Sequence, residues 1–247
     1  MSTRAEVCAV ACAELFRDAG EIMISPMTTM VSVGARLARL TFSPDILLTD
    51  GEAQLLADTP SLGATGAVEG WMPFGRVFET LAWGRRHVVM GANQVDRYGN
   101  QNISSFGPLQ HPTRQMFGVR GSPGNTINHA TSYWVGNHST RVFCEKVDVV
   151  AGIGYDKVDP DNPAFRFVNV YRVVSNLGVF DFDGPDHTMR ARTLHPGVSP
   201  DDVREATSFT VHGLDEAEET RLPTAEELRL VRDVIDPRAL RDREIRS

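Results

Sequence analysis

The 247-residue sequence is poor in lysine and in long apolar runs, and each shortage narrows what the chain can be. Lysine occurs only at Lys146 and Lys157; arginine supplies the other basic residues, which we interpret mainly as codon bias. The formal net charge of -7 excludes the basic surface that a nucleic-acid-binding protein presents to phosphates. No apolar run is long enough to span a bilayer, and the N-terminus has no signal-peptide layout, so we expect a cytoplasmic protein.

Cysteine is also scarce, with three residues at Cys8, Cys12 and Cys144. An odd number of cysteines in apolar surroundings predicts free thiols that pack as small apolar side chains in a reducing compartment. Cys8 and Cys12 share one face of a predicted helix, but no histidine or acidic cluster completes a metal-binding set. We therefore predict that the chain binds no metal.

The periodicity of apolar residues alternates between helix and strand along the chain. Helices are predicted over residues 3–20, 28–40, 74–83, 199–206 and 224–235. Strands are predicted over residues 21–25, 46–49, 87–90, 141–150 and 165–182, and a long loop near the site over residues 52–71. Strand, helix and strand joined by short turns are typical of parallel sheets. We predict one α/β domain over residues 1–247, with an open, mostly parallel sheet flanked by helices.

The most informative stretch is residues 91–102, GANQVDRYGNQN, directly after the predicted strand 87–90. It contains five amide side chains, one carboxylate and two glycines, and it has no apolar periodicity. Open α/β sheets place ligands at the carboxyl ends of their strands. We predict that five residues here bind substrate: Gly91, Asn93, Gln94, Asp96 and Asn100. An Asx-rich turn that satisfies its own backbone is the alternative, and this segment alone does not decide between them.

Three stretches, in order, resemble the β-type subunit of the class I coenzyme A transferase superfamily. Residues 91–102 are similar to its GAxQ(I/V)DxxGNxN segment, and residues 121–125, GSPGN, to its glycine-rich turn. Residues 173–182, with the LHPGVS turn at 194–199, resemble its closing strands. The resemblance implies the coenzyme A transferase-like fold. It adds Gly121, Gly124 and Asn125 to the expected substrate-binding residues.

One departure from this family concerns its catalytic residue. Class I transferases carry a nucleophilic glutamate two residues before a glycine, whereas here Thr49 precedes Asp50 and Gly51. A threonine without an adjacent base is a poor nucleophile and cannot form the acyl anhydride that transfer requires. Thr49, Asp50 and Glu52 remain the catalytic candidates of this chain.

A narrower resemblance is carried by residues 71–83 and by the C-terminal residues 240–247. These stretches look like the β subunits of transferase-like hydrolases that open the last ring of cholesterol and related steroids. The resemblance implies an α subunit as partner and assembly as α2β2. It also implies hydrolysis of a carbon–carbon bond in a cyclic keto coenzyme A thioester. The thioester is then the substrate, no cofactor is needed, and the principal base comes from the α subunit.

Such a reaction needs hydrogen-bond donors for an oxyanion, and we expect them to be backbone amides at Gly91 and at residues 121–125. Asn93, Gln94 and Asn100 are expected to orient the ring oxygens. Two alternatives stay open from the sequence. One is a true coenzyme A transferase subunit that uses Glu52 as nucleophile, and the other is a non-catalytic, ligand-binding subunit.

Overall fold

The computed structural model describes residues 1–51, 53–116 and 118–245. Within these residues lie the α-helices α1 Arg4–Glu14, α2 Thr29–Leu40, α3 Phe74–Trp83, α4 Ser122–Asn128, α5 Pro200–Glu205 and α6 Ala225–Arg229. A π-helical turn, Leu230–Ile235, continues α6, and a 3-10 helix, Leu240–Glu244, follows near the C-terminus. No helix of the described residues is both long and apolar enough to cross a membrane.

The strands of the described residues are mostly short. They are β1 Met23–Pro26, β2 Leu47–Leu48, β3 Gln54–Leu56, β4 Val68–Trp71, β5 Arg86–Gly91, β6 Gln94–Val95, β7 Gln101–Asn102, β8 Ser105–Phe106, β9 Arg114–Gln115, β10 Ala130–Val135, β11 Asn169–Ser175, β12 Gly178–Asp181, β13 Arg190–Leu194 and β14 Glu218–Glu219.

Eight of these strands form one sheet in the order β14-β13-β12-β11-β10-β5-β1-β2. Strand β12 runs antiparallel to both of its neighbours, and every other neighbouring pair is parallel. The prediction of an open, mostly parallel sheet flanked by helices is therefore confirmed. The parallel strands β10, β5 and β1 lie side by side in the half of the sheet that ends at β2, so their carboxyl ends open at one edge.

The predicted helix starts are confirmed by their caps. The hydroxyl of Thr3 accepts the backbone N–H of Glu6, whose carboxylate accepts the N–H of Thr3 in return. The hydroxyl of Thr28 caps α2 in the same way by accepting the backbone N–H of Val31. The first turn of α2 has no acidic residue to return the bond. Each cap satisfies backbone donors that the first helical turn leaves without a partner.

Three predicted elements were wrong. Residues 141–150 form no strand; there Phe143 makes a single bridge to Val95. The central strand is instead β10, which escaped prediction because Thr131 and Ser132 interrupt its apolar run, although both are fully buried. The second wrong element is the predicted loop 52–71, whose described part contains the antiparallel hairpin of β3 and β4.

The third wrong element is the glycine-rich turn expected at residues 121–125, which forms the start of α4. Pro123 lies in the first turn of this helix. Proline is tolerated there because the first backbone N–H groups of a helix have no intrahelical acceptor. The composition of this stretch therefore predicted an irregular turn where the backbone is helical.

The helices α1 and α2 pack closely on one side of the sheet. A Cβ atom added to Gly34 of α2 would lie 2.7 Å from Cys12 Cβ of α1, so only glycine permits this approach. Cys8 and Cys12 are free, buried thiols, and Cys144 is free and half-buried. Burial raises the pKa of the Cys8 thiol to about 12, which keeps it protonated and unreactive. Among the described residues, no group of three or more metal-binding side chains is placed to hold an ion.

Glu6 connects α1 to the C-terminal segment. Its carboxylate accepts hydrogen bonds from Arg232 Nε at 2.6 Å and from Arg241 at 3.3 Å, and it is almost fully buried. Burial by itself would raise the pKa of Glu6, but the bonds from Arg232 and Thr3 outweigh it and lower the pKa to about 2. The charged carboxylate therefore stabilises the fold.

We predict that Glu6→Gln lowers the free energy of unfolding at neutral pH by on the order of 3 kcal/mol, the value of a pKa held this far below normal. Because the folded pKa is depressed, this contribution is present above the unfolded pKa of 4.5 and is lost as the pH falls toward 2. Urea unfolding of both proteins across this range should show the difference shrinking. A difference that does not change with pH would contradict this account.

Candidate active site

A cavity of about 800 Å³ opens at the carboxyl ends of β1, β5 and β10. This volume suits a small ring compound with part of an attached chain. Much of its apolar wall comes from α3, from one residue that follows β7 and from one residue of β8. These residues are Phe74, Val77, Phe78, Leu81, Ile103 and Phe106.

Four of the predicted site residues line this cavity. Gly91 and Asn93 lie at the end of β5, and Gly121 and Asn125 lie at the start of α4. The structure therefore brings the two predicted segments together. Gly124 does not line the cavity; it packs beneath α3, where an added Cβ would lie 3.5 Å from Leu81.

Asp96 and Asn100 lie behind the cavity wall and hold the loop together. One Asp96 oxygen accepts the backbone N–H groups of Tyr98 and Asn100, both at 3.0 Å, and the other accepts the Asn100 side chain at 2.9 Å. Asn100 also accepts the Gly154 N–H at 2.8 Å. Burial raises the pKa of Asp96, and these hydrogen bonds oppose the rise. Both residues were predicted to bind substrate, but the contacts seen here are internal to the protein.

Gln94 has a similar internal position. Its side-chain oxygen accepts hydrogen bonds from Asn102 Nδ2 at 2.7 Å and from the Asp148 N–H at 3.0 Å. Its side-chain nitrogen donates to Asp148 Oδ2 at 3.3 Å. Gln94 therefore ties the hairpin of β6 and β7 to the segment around Asp148.

Gln101 joins the two segments of the site and was not among the predicted site residues. Its side-chain nitrogen donates to the Gly91 carbonyl at 2.6 Å, and its side-chain oxygen accepts the Ser122 hydroxyl at 2.6 Å. The Gln101 side chain is fully buried. In the sequence Gln101 is one of the five amides of residues 91–102, and no local pattern separates it from its neighbours Asn100 and Asn102.

The predicted catalytic residues lie outside the cavity or outside the described residues. Thr49 is 0% exposed, and its hydroxyl donates to the Ile24 carbonyl at 2.8 Å and accepts the Gly51 N–H at 3.2 Å. Asp50 borders a second, smaller cavity, and one of its oxygens accepts two backbone N–H groups at 3.0 Å. Glu52 lies outside the described residues.

Glu244 is the one carboxylate residue that lines the main cavity within the described part of the chain. Its two oxygens accept the backbone N–H groups of Thr29 at 2.8 Å and Met30 at 3.0 Å, at the start of α2. The Glu244 carboxylate therefore satisfies two backbone donors that the first turn of α2 leaves without a partner. Glu244 lies in the C-terminal stretch that carried a family resemblance, but the sequence assigned it no role.

Arginine is the main charged residue of the cavity, and this was also not predicted. The four that line it are Arg86, Arg114, Arg120 and Arg141. Arg86 is only 3% exposed; it donates to Ser25 Oγ at 3.3 Å and to the Asn125 side-chain oxygen. Burial lowers the pKa of Arg86 to about 10, so its guanidinium stays charged at neutral pH.

The sequence and the fold of this chain are similar to those of several known proteins. No family model matches the chain. A Mycobacterium tuberculosis protein described as the cholesterol ring-cleaving hydrolase IpdB subunit is 86% identical over 250 aligned positions, covering 100% of both chains. A chain of the crystal structure of Rhodococcus jostii RHA1 IpdAB is 67% identical and matches with a TM-score of 0.97, covering 100% of this chain and 99% of that one.

A more distant match concerns the fold alone. Glutaconate coenzyme A-transferase from Acidaminococcus fermentans is 23% identical, with a TM-score of 0.81 and coverage of 97% and 96% of the two chains. The predicted coenzyme A transferase-like fold is therefore confirmed.

The loop contacts predict different outcomes for two neighbouring substitutions. Asp96→Ala leaves three donors without their acceptor inside the protein, so we expect the free energy of unfolding to fall by about 3 kcal/mol. Asn93→Ala changes an exposed side chain and should lower it by less than about 0.5 kcal/mol. Urea unfolding of the two variants tests this, and equal losses would mean that Asp96 does not brace the loop.

Proposed function

Because the chain belongs to the family of cholesterol ring-cleaving hydrolase IpdB subunits, we propose that it is the β subunit of a two-chain hydrolase of steroid degradation. Its partner is an α subunit, as the IpdAB match supports, and we propose an α2β2 assembly. The substrate is a cyclic keto coenzyme A thioester derived from the last steroid ring, and the reaction hydrolyses a carbon–carbon bond of that ring.

The observation that carries this proposal is the position of Thr49. In a coenzyme A transferase, a carboxylate at this place attacks the acyl group. Here the hydroxyl is fully buried and donates to the Ile24 carbonyl, so it is not available to a substrate in the cavity. Adding water to the substrate needs no such nucleophile, which favours hydrolysis over transfer.

The proposed reaction begins with addition of water to the ring ketone. A base takes one proton of the water as its oxygen bonds to the carbonyl carbon, and an oxyanion forms. The bond between this former ketone carbon and the carbon that bears the thioester then breaks. The electron pair of that bond passes to the thioester, which becomes an enolate. Protonation of that carbon completes the step, so the ketone becomes a carboxylate and the thioester remains intact.

This chain supplies the walls of the reaction cavity. The aromatic and aliphatic side chains of α3 suit an alicyclic ring, because burying apolar surface is favourable at about 25 cal/mol per Å². Asn93 presents an exposed amide at the same cavity and is our candidate for contacting a ring oxygen. We assign Gln94, Asp96 and Asn100 to positioning this loop.

The described residues of this chain offer the cavity no carboxylate that is free to act as the base. Glu244 is their one carboxylate at the cavity, and both of its oxygens already accept backbone N–H groups. Glu244 is therefore already engaged in capping α2. This arrangement supports the proposal that the principal base comes from the α subunit.

The outer surface of α3 supports a partner on the same side as the cavity. Of this ten-residue helix only Leu81 is buried, whereas Phe74 is 70% and Trp83 is 90% exposed. Trp71, next to the helix, is 69% exposed. Exposed aromatic side chains are enriched at protein interfaces. We propose that the α subunit covers them and completes the cavity.

The test combines this chain with its α subunit and offers 2-oxocyclohexane-1-carboxyl coenzyme A. We expect ring opening only when both chains are present, and no covalent coenzyme A adduct on this chain after borohydride or hydroxylamine treatment. Thr49→Val should reduce stability by about 1 kcal/mol through the lost hydrogen bond, yet keep kcat within about threefold. A trapped thioester on this chain, or full activity without the α subunit, would refute the proposal.

A further inference from the structure

Arg86 is a buried cation that has no ionic partner in the described part of the chain. Its Nε–H has no hydrogen-bond acceptor, and its remaining contacts are to neutral oxygens of Ser25 and Asn125. No carboxylate of residues 1–51, 53–116 and 118–245 lies within ion-pair distance of its guanidinium. Buried charges in proteins are normally paired, because an unpaired one loses its hydration without compensation.

Among the described residues, Arg86 differs from the buried Arg241 in having no ion pair, and from the buried Arg36 in having an Nε–H without an acceptor. Arg241 pairs with Asp236 at 3.0 Å and with Glu6 at 3.3 Å. Arg36 donates to the backbone carbonyls of Pro60 at 2.9 Å and Ser32 at 3.1 Å. Arg86 is also the one of these three that lines the main cavity.

The charge of the cavity points the same way. Arg114, Arg120 and Arg141 line it together with Arg86, and the one carboxylate among its described residues, Glu244, is engaged at the start of α2. Arg86, whose printed contacts are to neutral oxygens only, can attract an anion into this cavity, and a planar guanidinium suits the two oxygens of a carboxylate.

We propose that Arg86 binds an anionic oxygen of the substrate's acyl group. This inference rests on the proposed function, since it assigns a role within the same site. Two oxygens qualify. One belongs to a carboxylate carried by the ring as a substituent, and the other is the oxygen on which negative charge develops when the ring opens.

The experiment uses the assembled two-chain enzyme and two pairs of probes. Binding is measured by calorimetry with 2-hydroxycyclohexane-1-carboxyl coenzyme A and with the same compound bearing a carboxymethyl group on the ring. These alcohols lack the ketone, so they are not opened. Turnover is measured with the two corresponding ketones. Wild type is compared with Arg86→Met, and with Arg86→Lys, which keeps the charge but loses the two-pronged geometry.

If the partner is a ring carboxylate, wild type should bind the carboxymethyl alcohol about 10- to 100-fold more tightly than the plain one, and Arg86→Met should abolish that preference. If the partner is the developing charge, Arg86→Met should leave both affinities unchanged and lower kcat about 100-fold on both ketones. Either result supports the proposal, with Arg86→Lys intermediate. The proposal is overturned if Arg86→Met changes neither affinity and also leaves kcat unchanged. It is likewise overturned if neither affinity changes and wild type itself shows no turnover.

Failure of the proposed function is recognised separately, because it would leave wild type inactive on both ketones while the binding comparison still decides the role of Arg86. Arg36→Met is the matched control: it removes a buried arginine outside the cavity and should lower the melting temperature without changing either affinity. Arg86→Met should leave the melting temperature unchanged or raise it, because it removes an uncompensated buried charge. A large drop in melting temperature would mean that Arg86 is structural.

Discussion

The site depends on the buried hydrogen bonds that Asp96 accepts from its own loop. Three donors converge on this carboxylate, and Asn100 extends the network to Gly154. Gln101 then fixes the Gly91 carbonyl to Ser122 at the start of α4. Because these side chains use their polar atoms inside the protein, the loop holds one conformation, and Asn93 and Gly91 reach the cavity at a fixed place. Buried polar networks that are fully satisfied have this rigidifying effect.

The same network explains what could and could not be predicted from the sequence. The helix starts at Thr3 and Thr28 were predictable because capping is a local property. The strand β10 was not, because its burial comes from neighbouring strands and not from its own hydroxyl-bearing residues. For the site, the amide-rich loop was recognised, but its composition could not separate the side chain at the cavity, Asn93, from those behind it.

The charged residues of the cavity were the part of the site that the sequence predicted least. Arg86 begins a buried strand, where neither spacing nor composition sets it apart from the other arginines of an arginine-rich chain. Glu244 lies more than 200 residues along the chain from the helix start that it caps. Both reach the cavity through long-range packing, which no local pattern encodes. Thr49, in contrast, departs visibly from the transferase pattern in the sequence, and the fold gives its hydroxyl an internal hydrogen bond.

These features describe the part of a reaction chamber that this chain supplies: apolar walls, a buried arginine and a braced amide loop, with the Thr49 hydroxyl buried outside the cavity. The central claim is that water adds to a ring carbon and the thioester survives. Running the two-chain enzyme in ¹⁸O-labelled water and analysing the product by mass spectrometry tests this directly. The account predicts one ¹⁸O atom in the newly formed carboxylate, with coenzyme A still attached. Release of free coenzyme A with the label in the thioester-derived acid, or coenzyme A exchange between acids without label, would contradict it.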